Sequence, residues 1–221
     1  MLSEKMPNYI DIEIPPEFVK DIEESKIESY DKMNILFTKA GFKPASEIDL
    51  IIKTDNEDGI TEHMSEENIQ KAINIIKESG LFYELRKRET KKEEYEVEGE
   101  KDKKYFSREY MNILISRSKE ELDFLKRALK ENSDEMLGKA FGFLPTAVEA
   151  FIGRKEKLDI NTLPQEIRES DAMIFSSPTL SKDNWQEEIK QGQRNADFIK
   201  KISLKIYEEQ KEIVLRSREN D

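Results

Sequence analysis

The residue types that most often carry catalysis or bind metals are scarce in this chain. It has one histidine, His63, and no cysteine. A single imidazole beside scattered serines and acids does not indicate a serine-histidine-aspartate set, and neither a nucleophile elbow nor a phosphate-binding glycine loop occurs. Because the chain has no thiol, it can form no disulfide, no zinc-thiolate centre and no cysteine nucleophile. We therefore predict no catalytic, cofactor-binding or metal-binding residue.

The acidic stretch TDNEDGITEHMSE, which contains His63, is the nearest approach to a metal site. If Gly59 is taken as the invariant glycine of an EF-hand loop, the first position of that loop is Thr54 and the twelfth is Ser65. Neither residue supplies the carboxylate that calcium needs at those positions. His63 is better explained as an exposed residue just before a helix.

A second candidate for chemistry lies between residues 171 and 179. Asp171 precedes the apolar run AMIF, and a carboxyl group in an apolar pocket could act as a general acid, although an acid in a turn also fits. Three hydroxyl residues around Pro178 could hold an anion at the start of a helix, or simply form a linker with capping residues. An enzyme would have its site here, near residues 175–179.

Charge and composition limit the classes of partner. The net charge is −11, and residues 1–80 hold 18 acidic against 9 basic side chains. Such a chain repels nucleic acid within a Debye length of about 8 Å unless a basic face is concentrated locally. The amino terminus has no basic segment followed by an apolar run, and no apolar window of about 18 residues occurs. We expect a cytoplasmic protein without a membrane span.

The first part of the chain, residues 1–132, is predicted to be an α+β domain with a small antiparallel sheet and packed helices. Strands are expected at residues 10–14, 47–54, 81–88 and 109–117, and helices at 22–40, 65–80 and 118–132. Ser65 and Ser118 are predicted helix caps, since each precedes an acid-rich first turn. Residues 86–104, of which 15 of 19 are charged, are predicted to form a projecting hairpin.

The second part, residues 133–221, is predicted to be all helical and packed on the first. A long helix is expected from about residue 181 to 216, with an apolar stripe that begins at Trp185 and Ile189. Such a stripe contacts either the rest of the chain or a partner. Trp185 and Ile189 are therefore our candidate partner-binding residues, with a homodimer or another protein as the partner.

The stretch LGKAFGFLPTAVEAFIGRK, residues 137–155, has the pattern of two short helices joined at a glycine. Gly138 supplies the small residue where the helices cross, and Gly142 supplies the turn. This pattern resembles bacterial helix-turn-helix DNA-binding motifs. None of the positions that would face a major groove is Arg, Lys, Asn or Gln, the side chains that pair with base edges; these positions are Leu144, Pro145, Thr146, Glu149, Ala150 and Gly153. Arg154 and Lys155 remain as candidates for contact with a phosphate backbone or a partner.

The carboxy-terminal part also resembles an uncharacterised archaeal protein family. The resemblance lies in LGKAFGFLPTAVEAF, MIFSSPTLSKDNWQEEIKQG and ISLKIYEEQ, and the family has a Gly-Tyr-Pro or Gly-Phe-Pro turn that leads into paired cysteines. In this chain Leu144 is inserted before Pro145, and Thr146 and Ala147 stand where the cysteines are usual. The resemblance therefore implies a shared shape without thiol chemistry.

Three functional hypotheses follow from the sequence. The favoured one is a non-catalytic cytoplasmic protein that acts through protein contacts in interaction or regulation. The second is a helix-turn-helix DNA-binding regulator. The third is an enzyme with a site between the two parts of the chain.

Overall fold

An antiparallel sheet forms the centre of the amino-terminal part. The computed structural model describes residues 13–56, 59–95, 104–176 and 179–219. The strands within these residues are β1 (Ala45–Asn56), β2 (Gly59–Glu62), β3 (Phe82–Tyr95) and β4 (Lys104–Ser116). Their order across the sheet is β2-β1-β4-β3, and neighbouring strands are antiparallel.

Helices pack on both faces of this sheet and form the carboxy-terminal part. Within the described residues they are α1 (Pro16–Glu24), α2 (Ser29–Ala40), α3 (Glu66–Glu78), α4 (Lys119–Glu131), α5 (Asp134–Ala140), α6 (Pro145–Phe151), α7 (Gln165–Arg168), α8 (Asp171–Ile174), α9 (Trp185–Ile202) and α10 (Leu204–Glu219). The predicted α+β class with carboxy-terminal helices is confirmed. No helix in the described ranges combines the length and apolar character needed to cross a membrane.

The two faces of the sheet bury different clusters, as strand alternation requires. The main core lies on one face, where β1 and β4 contribute buried residues alternating along each strand: Ile48, Leu50, Ile52, Met111, Ile113 and Ile115. Helices α1, α2, α3, α9 and α10 cover that face. On the other face, Leu114 and Ala45 pack against Leu125 of α4.

Both helix caps predicted for this part are confirmed. Ser65 Oγ accepts a hydrogen bond from the Asn68 N–H at 3.3 Å. Ser118 and Glu121 form a reciprocal capping box, in which the Ser118 Oγ accepts at 3.2 Å and the Glu121 carboxylate accepts from the Ser118 N–H at 3.1 Å. Local sequence alone thus sets where α3 and α4 begin.

The prediction of one helix over residues 22–40 is wrong. Pro16 occupies the first turn of α1, where its missing N–H and fixed φ suit a helix start. Ser25 then turns extended, with ψ of 161°, and its Oγ donates to the Ile22 carbonyl at 2.7 Å. The helical path therefore breaks between α1 and α2.

The prediction of a continuous helix from 181 to 216 is also wrong. Ser203 is extended between α9 and α10, and its Oγ donates to Glu23 of α1 at 2.5 Å. The same Oγ accepts from the Ile206 N–H at 3.1 Å, which caps α10. The extended residue interrupts the helix, and α10 beyond it contacts α9 and α2, so the apolar stripe does not run along one continuous helix.

Strand β2 was not predicted, because all four of its residues are exposed and show no alternating pattern. Residues 10–12 of the predicted first strand lie outside the described residues. In the charged segment, β3 and β4 stay paired as far as Tyr95 opposite Lys104. Residues 96–103, at the centre of the predicted hairpin, are likewise outside the described part.

Helix α9 crosses the chain around α8 at Gly192. A Cβ atom at this position would lie 2.0 Å from the Ala172 carbonyl oxygen and 2.9 Å from the Ser176 Cα. Both are backbone atoms, so neither can move aside as a flexible side chain would. The contact between α8 and α9 therefore requires a glycine.

Replacing Gly192 by alanine is expected to lower the free energy of unfolding by about 1 to 3 kcal/mol, because the methyl group overlaps backbone. Helix propensity acts in the opposite direction, since alanine is favoured over glycine by about 1 kcal/mol in a helix. Urea denaturation of Gly192→Ala, with Gln186→Ala on the exposed side of α9 as control, measures the difference. An unchanged or raised midpoint for Gly192→Ala would show that the helices do not approach this closely.

Candidate functional site

The corner between α5 and α6 has the geometry that its glycines predict. Gly142 adopts a left-handed conformation with φ of +76°. A Cβ on Gly138 would lie 2.6 Å from the Val148 Cγ2, so the two helices cross in close contact. The predicted pair of helices joined at Gly142 is confirmed.

Two of the positions that would face a major groove, Thr146 and Ala150, are engaged within the protein, whereas Pro145 and Gly153 are exposed. Ala150, one of the positions that would face a major groove, is fully buried, and Thr146 donates its hydroxyl to Glu188 of α9 at 2.5 Å. Arg154 pairs with Glu135 at 2.7 Å, and Lys155 pairs with Glu149 at 3.4 Å. These contacts weigh against contact with a phosphate backbone, because each cation already has an acidic neighbour.

The candidate partner residues at the start of α9 are half-buried in a small apolar cluster. Trp185 and Ile189 pack against buried Leu163, Met173 and Leu180. Part of the apolar stripe is therefore covered by this chain itself. The rest of each side chain stays at the surface.

Glu188 joins the corner to the segment before α9. Its side chain is 2% exposed, and its carboxylate accepts hydrogen bonds from the Thr146 hydroxyl, from the Ser181 N–H at 2.7 Å and from the Ser181 hydroxyl at 2.6 Å. Three donors satisfy a carboxylate that burial would otherwise penalise. Glu188 is thus a structural acid that fixes α6 against α9.

A cavity of about 270 Å³ lies between the α+β part and the carboxy-terminal helices. Most of its lining is aromatic or aliphatic: Tyr30, Met33, Phe37 and Phe42 from the first part, and Phe141, Phe143, Ile160, Met173, Ile174, Phe175, Leu180 and Val214 from the second. Phe175 and Ser176, where the sequence placed a site between the two parts, belong to this wall. The sequence did not predict the others.

One ammonium group enters this apolar cavity. Lys43 Nζ donates to the Asn34 Oδ1 at 2.6 Å and lies about 6 Å from the centres of three rings, those of Tyr30, Phe37 and Phe143. Within the described ranges no carboxylate comes within 4 Å of it. Burial lowers the pKa of Lys43 to about 8, while the nearby Asp31 opposes this shift.

Three amide side chains supply the cavity's other long polar groups. Gln191 donates to the Gly142 carbonyl at 3.3 Å, and Asn195 donates to the Phe175 carbonyl at 3.1 Å. Gln210 accepts from the Ser29 hydroxyl at 3.1 Å. Each amide is thereby fixed in place, and each keeps a second polar atom without a hydrogen bond from the part of the chain that the structure covers.

Asp31, on α2, is a buried acid beside this site. Its Oδ2 accepts a hydrogen bond from the backbone N–H of Asp49 on β1 at 3.2 Å. Strand β2 does not reach this part of β1, because the pairing of β1 with β2 begins at Lys53. The Asp31 carboxylate therefore takes the place of the carbonyl acceptor that a neighbouring strand would otherwise provide. Burial, with a smaller contribution from the charge of Asp49, raises the pKa of Asp31 to about 7.

Asp171 has no raised pKa of the kind that a general acid needs. Burial would raise the pKa of this carboxyl, but hydrogen bonds from the Tyr207 hydroxyl at 2.6 Å and the Lys211 ammonium at 2.9 Å outweigh it, and the net pKa is lowered. The Asp171 carboxylate is held ionised, and its hydrogen bonds to Tyr207 and Lys211 connect α8 to α10. Among the described residues, no group of three or more histidine, aspartate or glutamate side chains could hold a metal ion.

Sequence reasoning missed Lys43 and Asp31, although Asp31 left a signal. Asp31, Ile35 and Thr38 follow helical spacing on a buried face of α2, and an acid on such a face indicates a specific partner. Lys43 follows Gly41 in a loop, and nothing in its local pattern indicates that it enters a cavity.

The chain matches no protein-family model, and neither the curated proteins nor the solved structures show significant similarity to it. The resemblance to an archaeal family stays a prediction. Function must therefore be argued from the geometry.

Replacing Asp31 by asparagine is expected to flatten the pH dependence of stability between about pH 4 and pH 7. The folded-state pKa of about 7 lies above the unfolded value near 4, so the native protein binds this proton more tightly and loses stability as pH rises through that window. Asparagine keeps an oxygen that can accept from the Asp49 N–H and removes the buried charge.

Urea denaturation at pH 5 and pH 8 measures this effect. Relative to the wild type, Asp31→Asn should gain stability on the order of 1 kcal/mol or more at pH 8 compared with pH 5. Asp21→Asn, at an exposed position of α1, serves as control and should follow the wild type. Parallel pH profiles for the wild type and Asp31→Asn would contradict a raised pKa at Asp31.

Proposed function

We propose that the protein is a non-catalytic regulatory protein that binds a small molecule with an apolar body in the cavity between its two parts. This proposal rests on the composition of the cavity wall, in which aromatic rings and aliphatic side chains from both parts surround a few fixed polar groups. Small-molecule sites have this composition, with an apolar lining and a small number of placed polar atoms. They also occur preferentially between structural units.

A regulatory role fits the position of the cavity. A ligand there would contact Phe42 in the loop after α2 and Phe175 after α8, so its binding energy would stabilise the packing of the two parts. Surfaces shared by both parts would then depend on ligand occupancy. This supports regulation through protein contacts, by a homodimer or another partner, in preference to a reaction.

DNA readout has less support from the same geometry. Ala150 is buried, Thr146 is bonded to Glu188, and Arg154 and Lys155 have acidic neighbours. A recognition helix must instead expose its polar positions to a groove. The two short helices at this corner are better explained as the support of the cavity wall at Phe141 and Phe143.

The uncharged fluorescent probe N-phenyl-1-naphthylamine tests binding in the cavity. It should bind the wild type with increased fluorescence. Val214→Trp, which places a larger side chain in the wall, should weaken binding at least tenfold, equivalent to about 1.4 kcal/mol. Ile213→Trp on the exposed side of the same helix should bind as the wild type does.

Thermal unfolding of both variants establishes that each is folded before the comparison. Equal binding by Val214→Trp and Ile213→Trp would place the probe elsewhere. No binding to the wild type would refute a preformed apolar site.

A further inference from the structure

The formal charge in the lining of the cavity is positive. Of its lining residues within the described ranges, Lys43 is the single one that carries a formal charge near neutral pH, and no carboxylate is among them. Desolvated charges in proteins are normally paired with an opposite charge. Here the nearest acid that influences the ammonium, Asp31, lies beyond ion-pair distance and is bonded to the Asp49 N–H.

The hydrogen-bonding capacity of this ammonium is also unfilled. An ammonium group has three donors, and Asn34 accepts from one of them. The rings of Tyr30, Phe37 and Phe143 interact with the cation through their faces but accept no strong hydrogen bond. Two donors therefore remain for a ligand, next to an apolar wall.

We propose that the cavity selects a monoanionic molecule, an organic carboxylate with an aromatic or aliphatic body, whose carboxylate pairs with the Lys43 ammonium. This inference rests on the proposed function and names the class of ligand. The apolar lining takes the body of the ligand, and Gln191, Asn195 and Gln210 offer amide groups to its polar atoms.

A monoanion fits this site better than a phosphate does. Phosphate sites in proteins combine arginine forks, several backbone N–H groups or a metal ion to balance two charges. The cavity wall within the described residues contains no arginine and one lysine. One ammonium balances one carboxylate.

The pH dependence of binding follows from the groups that face Lys43. On α2 these are Tyr30 and Asp31, and the cavity residues of α8, α9, α10 and the α5–α6 turn carry no ionisable side chain. Lys43 loses its proton as pH rises through about 8. Asp31 gains a proton below about 7, which removes a negative charge near the ligand. Both changes favour the anion at lower pH.

The test compares 4-phenylbutyrate with its uncharged analogue 4-phenylbutanamide by isothermal titration calorimetry. At pH 6.5 the wild type should bind the carboxylate at least tenfold more tightly than the amide. This ratio should fall toward one at pH 9. An equal affinity for both probes at pH 6.5 would overturn the inference.

Variants at residue 43 attribute the preference to the ammonium. Lys43→Met keeps the apolar stem and should bind both probes as the wild type binds the amide. Lys43→Arg keeps the charge and should retain the preference for the carboxylate at pH 9, because a guanidinium does not titrate there. Lys20→Met, at an exposed position on α1, is the matched control and should leave the ratio unchanged.

The outcomes separate this inference from the proposed function. If N-phenyl-1-naphthylamine binds in the cavity and the carboxylate gains nothing over the amide, the ligand class is wrong and the cavity remains a binding site. A preference that survives in Lys43→Met also overturns the assignment. If none of the three probes binds, both proposals fail together.

Discussion

The arrangement of the carboxy-terminal half depends on the approach of α9 to the backbone around α8. At Gly192 the two segments are so close that a methyl group would overlap the Ala172 carbonyl. One turn earlier, Glu188 accepts three hydrogen bonds and ties the same helix to α6 and to Ser181. A backbone contact and a satisfied carboxylate thus fix the position of α9, and with it the wall of the cavity that Gln191 and Asn195 line.

Aromatic packing and polar contacts connect this half to α1 and α2, which cover the sheet. Phe198 of α9 lies 4.3 Å from the ring of Phe42 and 5.8 Å from that of Phe37, measured between ring centres, so the main core continues from α2 into α9. The hydroxyl of Ser29 donates to Gln210, and that of Ser203 donates to Glu23. Because the core is shared, the cavity lies within one packed structure.

Three interior ionisable groups differ in how fully the protein satisfies them. Glu188 has three donors, and its role is structural. The Asp31 carboxylate accepts a hydrogen bond from the Asp49 N–H, and the raised pKa of Asp31 reflects the remaining cost of burial. Lys43 has one amide acceptor and no carboxylate within ion-pair distance among the described residues. The least satisfied group is the one that faces open space, which is why we assign it to a ligand.

Sequence by itself determined the features that depend on neighbours along the chain. The caps at Ser65 and Ser118, the turn at Gly142 and the alternation in β1 and β4 follow from local hydrogen bonding, backbone freedom and side-chain period. Tertiary structure decided the break at Ser203, because the hydroxyl of this residue donates to Glu23, which lies 180 residues away along the chain. It also decided the site, since Lys43, Phe143 and Phe175 come together only when α2, the α5–α6 corner and α8 pack against one another. No local sequence pattern determines the distances between these three residues.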